Sequence, residues 1–255
     1  MKKLFLIAVV LLLFSSFAFA DLESARLKWL EAKETHLGLQ QEWRQAQLLV
    51  AANNTQENIE NVIEKAKAAL NAGLDEAIAF FEFHKEKLTS ADVSDELKAT
   101  IESDLNKNID VAEGLKDDVN AITTRAEVGV VSLKIIDAYL NLLVDVMRDT
   151  GLVFVEKANL RVEKLEEFRD TLQEKVDIAP EDKKEDLDKL MESLNVHIDE
   201  AKSAIDSAEE AYNSITKKEG SRIAFEKGNT LIRQSRSHMV LAFQDIRQIV
   251  KKLRE

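Results

Sequence analysis

Apolar residues recur along most of this chain at alternating steps of three and four, the spacing that lines one face of an α-helix lying along a partner. In the first segment Leu22, Ala25, Trp29, Ala32, His36, Leu39, Trp43, Ala46 and Val50 keep that alternation without a miss. Polar Asn53-Asn54-Thr55 ends it. A second helix is predicted from Gln56 to Leu88, with Ile59, Ile63, Ala66, Leu70, Gly73, Ala77 and Phe80 in the same register. Thr89 to Ser94 reads as a turn with Asp92 and Ser94 as N-cap candidates. A third helix carries Leu97, Ile101, Leu105, Ile109, Ala112, Leu115, Val119 and Ile122.

From Glu127 the pattern changes. Lys134, Asp137, Asn141, Asp145 and Arg148 form one narrow polar stripe on an otherwise apolar helix, which predicts a place in the middle of a bundle. That helix is expected to run on to Val176, weakened locally at Gly151 by roughly 1 kcal/mol against Ala. The single Pro, Pro180, stands at the start of a fifth helix, where its missing N–H is tolerated. Leu187, Leu190, Leu194, Ile198, Ala201, Ile205, Ala208, Tyr212 and Ile215 mark its face. After a break near Gly220 a last helix shows Phe225, Gly228, Ile232, Ser235, Met239, Ala242, Ile246, Ile249 and Leu253. The small Gly228 and Ser235 would let a neighbouring backbone come close.

The expected fold is all-α: an elongated antiparallel bundle of about six long helices, or two three-helix bundles end to end. A first helical region is placed over residues 21–126 and a second over 127–255. Shifting the chain by 89 sets Leu105, Asn106, Ile109, Asp110 and Ala112 on Leu194, Asn195, Ile198, Asp199 and Ala201, which leaves an internal duplication open. Composition agrees with helices throughout. One Pro and seven Gly in 255 residues cannot supply the turns of a strand fold. The absence of Cys removes disulfides, thiolate metal sites and thiol catalysis.

Residues 1–20 read as a targeting signal: the basic start Met1-Lys2-Lys3, the apolar run Leu4 to Phe14, and the small-x-small site Ala18-Phe19-Ala20. Cleavage before Asp21 is expected, which would place the protein outside the cytoplasm, as a secreted, periplasmic or cell-envelope protein; the alternative is a retained anchor. Charge is unevenly spread. Losing Lys2 and Lys3 takes the net charge from −12 to −14, and 217–255 hold ten basic against four acidic side chains, so 21–216 sum to −20. So acidic a body argues against nucleic acid as a partner. The basic C-terminal helix offers a contact for a membrane surface or another anionic partner, or packs along the acidic helices of its own chain.

The stretch Leu231-Ile232-Arg233-Gln234-Ser235, followed by Phe243-Gln244-Asp245-Ile246-Arg247-Gln248-Ile249-Val250-Lys251-Lys252-Leu253, resembles the ends of uncharacterised secreted helix-rich, coiled-coil-like proteins of archaeal type. With the acidic helix pair before it, the resemblance covers roughly residues 60–255. It implies a helical extracytoplasmic protein and brings no activity, cofactor or functional residue with it.

Candidate chemistry is sparse. The Glu-x-x-His pairs of di-iron bundles, paired histidines of zinc helices, glycine-rich phosphate loops and the G-x-S-x-G elbow are all missing, so no catalytic, cofactor-binding or metal-ligating residue is assigned. His197 and Glu200 are the one histidine–carboxylate pair three or four positions apart, read as an exposed contact on one helix face. Trp29, His36 and Trp43 fall seven apart, so two indoles and an imidazole share one stripe that could grip an apolar or aromatic ligand; the same spacing fits a seam holding a hydrogen-bonded histidine. Asn53-Asn54-Thr55 is also an N-glycosylation sequon in a predicted exposed turn, with Asn53 as acceptor. These features lead to the expectation of a non-enzymatic helical protein presenting long surfaces to a protein partner or to the envelope. The alternatives are a holdase or lipid carrier opening its bundle around a client, and an envelope enzyme with a dispersed site.

Overall fold

The computed structural model describes residues 2–255, with side chains from Asp21 onward; the targeting signal expected over 1–20 lies outside the described side chains. The chain forms six helices: α1 (Lys2–Ala52), α2 (Gln56–Thr89), α3 (Asp95–Asn120), α4 (Arg125–Asp177), α5 (Glu181–Asn213) and α6 (Ser221–Arg254). Among the described residues there is no strand, so the fold is all-α. From Asp21 onward, no helix is long and apolar enough to cross a membrane. The chain divides into two compact units, Met1–Val146 and Met147–Glu255, and the division falls inside α4.

Local chemistry sets the helix boundaries. The Thr55 hydroxyl accepts from Asn58 N at the start of α2, and the Ser94 hydroxyl accepts from Leu97 N at the start of α3, each satisfying one N–H that the first turn leaves without a partner. α4 begins two residues before the expected Glu127, because Thr124 and Glu127 form a reciprocal capping box. Glu127 Oε2 also accepts from Thr123 N at 2.7 Å and from Thr124 N at 2.9 Å, which holds its carboxyl below the usual carboxylate range. Pro180 caps α5, and Gly220 precedes α6 at φ +79°, a left-handed conformation that a residue without Cβ adopts readily.

In the first unit, the nine seam positions from Leu22 to Val50 are the buried or half-buried face of α1, with Gln40 the one further member. α2 is apolar on two sides because it packs against both α1 and α3. Ala66, Phe81, Ile101, Leu105, Ala112 and Val119 are among the most deeply buried side chains of this unit. Buried Asn108 donates to the carbonyl of Leu142 at 3.3 Å, tying α3 to α4. Over its first turns the helix from Glu127 does not take the expected central position: Val130, Leu133 and Ile136 of α4 are 66%, 69% and 55% exposed. In this unit the polar stripe does not mark the only solvent-facing side of the helix.

The second unit has a deeply buried core. Leu187, Leu194, Ile198, Ile205, Tyr212 and Ile249 are fully buried. Tyr212 explains two glycines. A Cβ on Gly228 would stand 2.5 Å from Tyr212 Cε1, and one on Gly151 would press still closer on the same ring. The small position Gly228 therefore admits an aromatic ring where a backbone was expected, and Gly151 is a slot as much as a weak point of its helix. The phenol donates to Asn229 Oδ1 at 2.9 Å, and burial pushes its pKa up to about 12. α6 lays its apolar face on α5, where Lys252 pairs with Asp186, while Arg236, Arg247 and Arg254 face solvent.

Candidate functional site: an aromatic cleft in the first unit

The α1–α2 hairpin turns at Asn53-Asn54-Thr55, so residues equally far from that turn face one another. Trp29 thereby meets Phe80, and His36 meets Gly73. Opposite His36 stands a glycine, and a Cβ there would lie 3.1 Å from His36 Nε2, tighter than ordinary contact. Opposite Trp29 the partner is large, and an aromatic cluster results. Trp29 stacks on Phe83 with ring centroids 5.5 Å apart and meets the edge of Phe80 at 5.6 Å, while Lys33 Nζ sits 5.8 Å from the indole centroid. Phe81 carries the cluster across to Tyr139 of α4 at 6.5 Å.

Between these side chains lies a cleft of about 670 Å³, within the size range of small-molecule sites. Trp29, His36 and Trp43 all line it, so the stripe read from the sequence forms one wall. Phe80 of α2, Leu115 of α3 and Ile136, Tyr139 and Leu140 of α4 are among the other apolar lining residues. The polar part of the wall is a short chain of hydrogen bonds. The Gln40 amide donates to His36 Nε2 at 2.9 Å, which assigns the ring proton to Nδ1, and Nδ1–H donates to Glu76 Oε2 at 2.6 Å. With both nitrogens engaged, the imidazole is held in one orientation as a polar edge. Burial and the nearby Glu76 charge push the Tyr139 pKa up, so its hydroxyl stays protonated.

Behind the cleft, the His84 ring packs 4.3 Å from Phe80, and its Nδ1 has no hydrogen-bond partner among the described residues. Burial, with Lys87 adding to it, pushes this histidine from 6.5 down to about 4. Asn53 is exposed in the α1–α2 turn, where its carbonyl accepts from Asn58 Nδ2 at 2.7 Å and Thr55 is occupied as the cap of α2. It takes no part in the cleft. Sequence reasoning missed Glu76 and Tyr139. Glu76 was within reach, since it follows Gly73 by three positions and hairpin arithmetic sets that turn against His36; Tyr139 needed the placement of α4.

Comparison with protein-family models, curated proteins and solved structures finds no match to this chain.

Proposed function

We propose that this is a non-enzymatic, extracytoplasmic binding protein whose first unit takes an apolar ligand, with an acyl or aromatic portion, into the cleft between α1, α2 and α4. The observation that carries this reading is the cleft itself: about 670 Å³ walled mainly by apolar and aromatic side chains, with one fixed polar edge at His36, Glu76 and Gln40. The basic start, apolar run and small-x-small site of residues 1–20 support export. Both tryptophans of the chain line the cleft, so a bound ligand reports on itself. Titration with a fluorescent fatty-acid analogue is expected to shift tryptophan emission, and Trp43→Ala or Tyr139→Ala to weaken binding at least tenfold. Solvent extraction of protein purified from its source, followed by mass spectrometry, is expected to release the natural ligand. An unmoved emission together with an empty extract would end the proposal.

A second reading, a protein that presents long helical surfaces to a protein partner or the envelope, rests on a separate observation. Leu27, Leu30, Leu37 and Leu48 lie exposed along one side of α1, and Val130 and Leu133 on α4 outside the cleft lining. Leu133→Glu separates the two readings. Loss of a co-purifying partner with probe binding unchanged favours the surface.

A further inference from the structure

The second unit holds a cluster of polar side chains that its apolar core does not use. His197 and Glu200 sit three apart on α5, which puts both on one face, and α6 brings His238 to the same carboxylate. Glu200 Oε2 is 2.8 Å from His238 Nδ1 and 3.5 Å from His197 Nδ1. One ligand atom from each of the three residues lies within 4.8 Å of the other two, and the imidazole centroids are 6.1 Å apart. Both Nδ1 atoms are shielded from solvent and, among the described residues, neither has a hydrogen-bond partner. The contact of His238 with Glu200 thus has the length of an ion pair without the direction of a hydrogen bond. Two shielded nitrogens thus converge on one carboxylate oxygen with no hydrogen bond to either.

We propose that His197, Glu200 and His238 bind one divalent transition-metal ion of the zinc type, and that Asp245 positions His197. The geometry is close to what such an ion requires. Nitrogen and oxygen donors at about 2.0–2.2 Å in a tetrahedral shell stand roughly 3.4 Å from one another. The His197–Glu200 pair already has that separation, and small side-chain rotations open the His238–Glu200 contact and draw the two imidazoles together. Two imidazoles and one carboxylate suit zinc, cobalt, nickel or copper, whereas calcium and magnesium prefer shells of oxygen. Glu200 is half exposed, so the remaining coordination position faces solvent. On the other side of His197, Nε2 lies 3.9 Å from Oδ2 of the nearly buried Asp245, and that same oxygen accepts from Ser193 Oγ at 2.9 Å. With Nδ1 on the metal, Nε2–H is left to point at this carboxylate, the outer contact that fixes ring orientation in histidine metal sites. The ion would join α5 to α6.

Calorimetric titration of the purified protein with zinc chloride tests this. One ion per chain is expected, and cobalt chloride should develop the visible absorption of a four- or five-coordinate site. His197→Gln and His238→Gln should each lower zinc affinity at least tenfold, and Asp245→Asn should lower it while keeping one ion per chain. His36→Gln, in the other unit, should change nothing. Should a histidine variant fail to fold, cobalt shifts of the His197 and His238 ring resonances in the unaltered protein give the same answer. Absence of zinc uptake, or uptake equal in the unaltered protein and both His197→Gln and His238→Gln, overturns the proposal.

Discussion

The two units are built from the same kind of helix, yet one seats its largest buried ring in a fitted slot and the other leaves its aromatic residues around a cleft, and the difference lies in how large and small residues meet. In the second unit a single large ring, Tyr212, enters a slot made by Gly151 and Gly228 and is itself fully buried. In the first unit Trp29 faces Phe80, large against large, and Trp29, His36 and Trp43 remain half-buried at the edge of an open space. Complementary sizes shut a seam. Where aromatic residues face one another, as Trp29 and Phe80 do, an open space remains beside them.

The sharpest way to break this comparison is to fill the slot. Gly151→Ala sets a Cβ against the Tyr212 ring and should destabilise the second unit by about 3 kcal/mol, through overpacking. Both tryptophans lie in the first unit, so the denaturation midpoint followed by far-UV circular dichroism should fall more than that followed by tryptophan emission. An unchanged midpoint would mean that the slot is not tight.

Acid should act on the first unit. His84 is held at about 4 in the fold against 6.5 when free, so between these values the unfolded chain binds a proton that the folded chain does not. Stability is therefore kept above pH 6.5 and lost as pH falls towards 4. Partial exposure of the ring screens the effect, leaving a loss of roughly 1–2 kcal/mol. Denaturant midpoints from tryptophan emission at pH 7 and pH 4.5 measure it, and His84→Leu should remove part of the difference. The smallest expected effect is that of Tyr212→Phe, about 1 kcal/mol, because it deletes one hydrogen bond to Asn229 and leaves the ring in its slot. A cost near that of Gly151→Ala would shift the weight of this core from packing to the hydroxyl.

Much of this structure was legible in the chain because helix seams are a local code. Spacing alone picked out the buried face of α1 from Leu22 to Val50, and the breaks at Asn53-Asn54-Thr55, Ser94, Pro180 and Gly220 all fall between helices. Trp29, His36 and Trp43 could be grouped for the same reason, since a seven-residue interval returns to one face. The reading failed where a residue's meaning depends on what stands opposite. Gly151 looked only like a weak point, the start of the helix after Glu127 looked central, and the approach of His238 to the His197–Glu200 pair left no local signal because His238 lies far along the chain.

The sequence by itself determined that this protein is helical, where its helices begin and end, and which face of each is apolar, because capping and periodicity act over a few residues. Only the tertiary structure decided that Trp29, His36 and Trp43 border an open cleft, that Tyr212 fills a gap between two glycines, and that His238 reaches Glu200. Those outcomes depend on which helices pair and at what depth. That choice is made by the packing of side chains distant in sequence, and no local pattern encodes it.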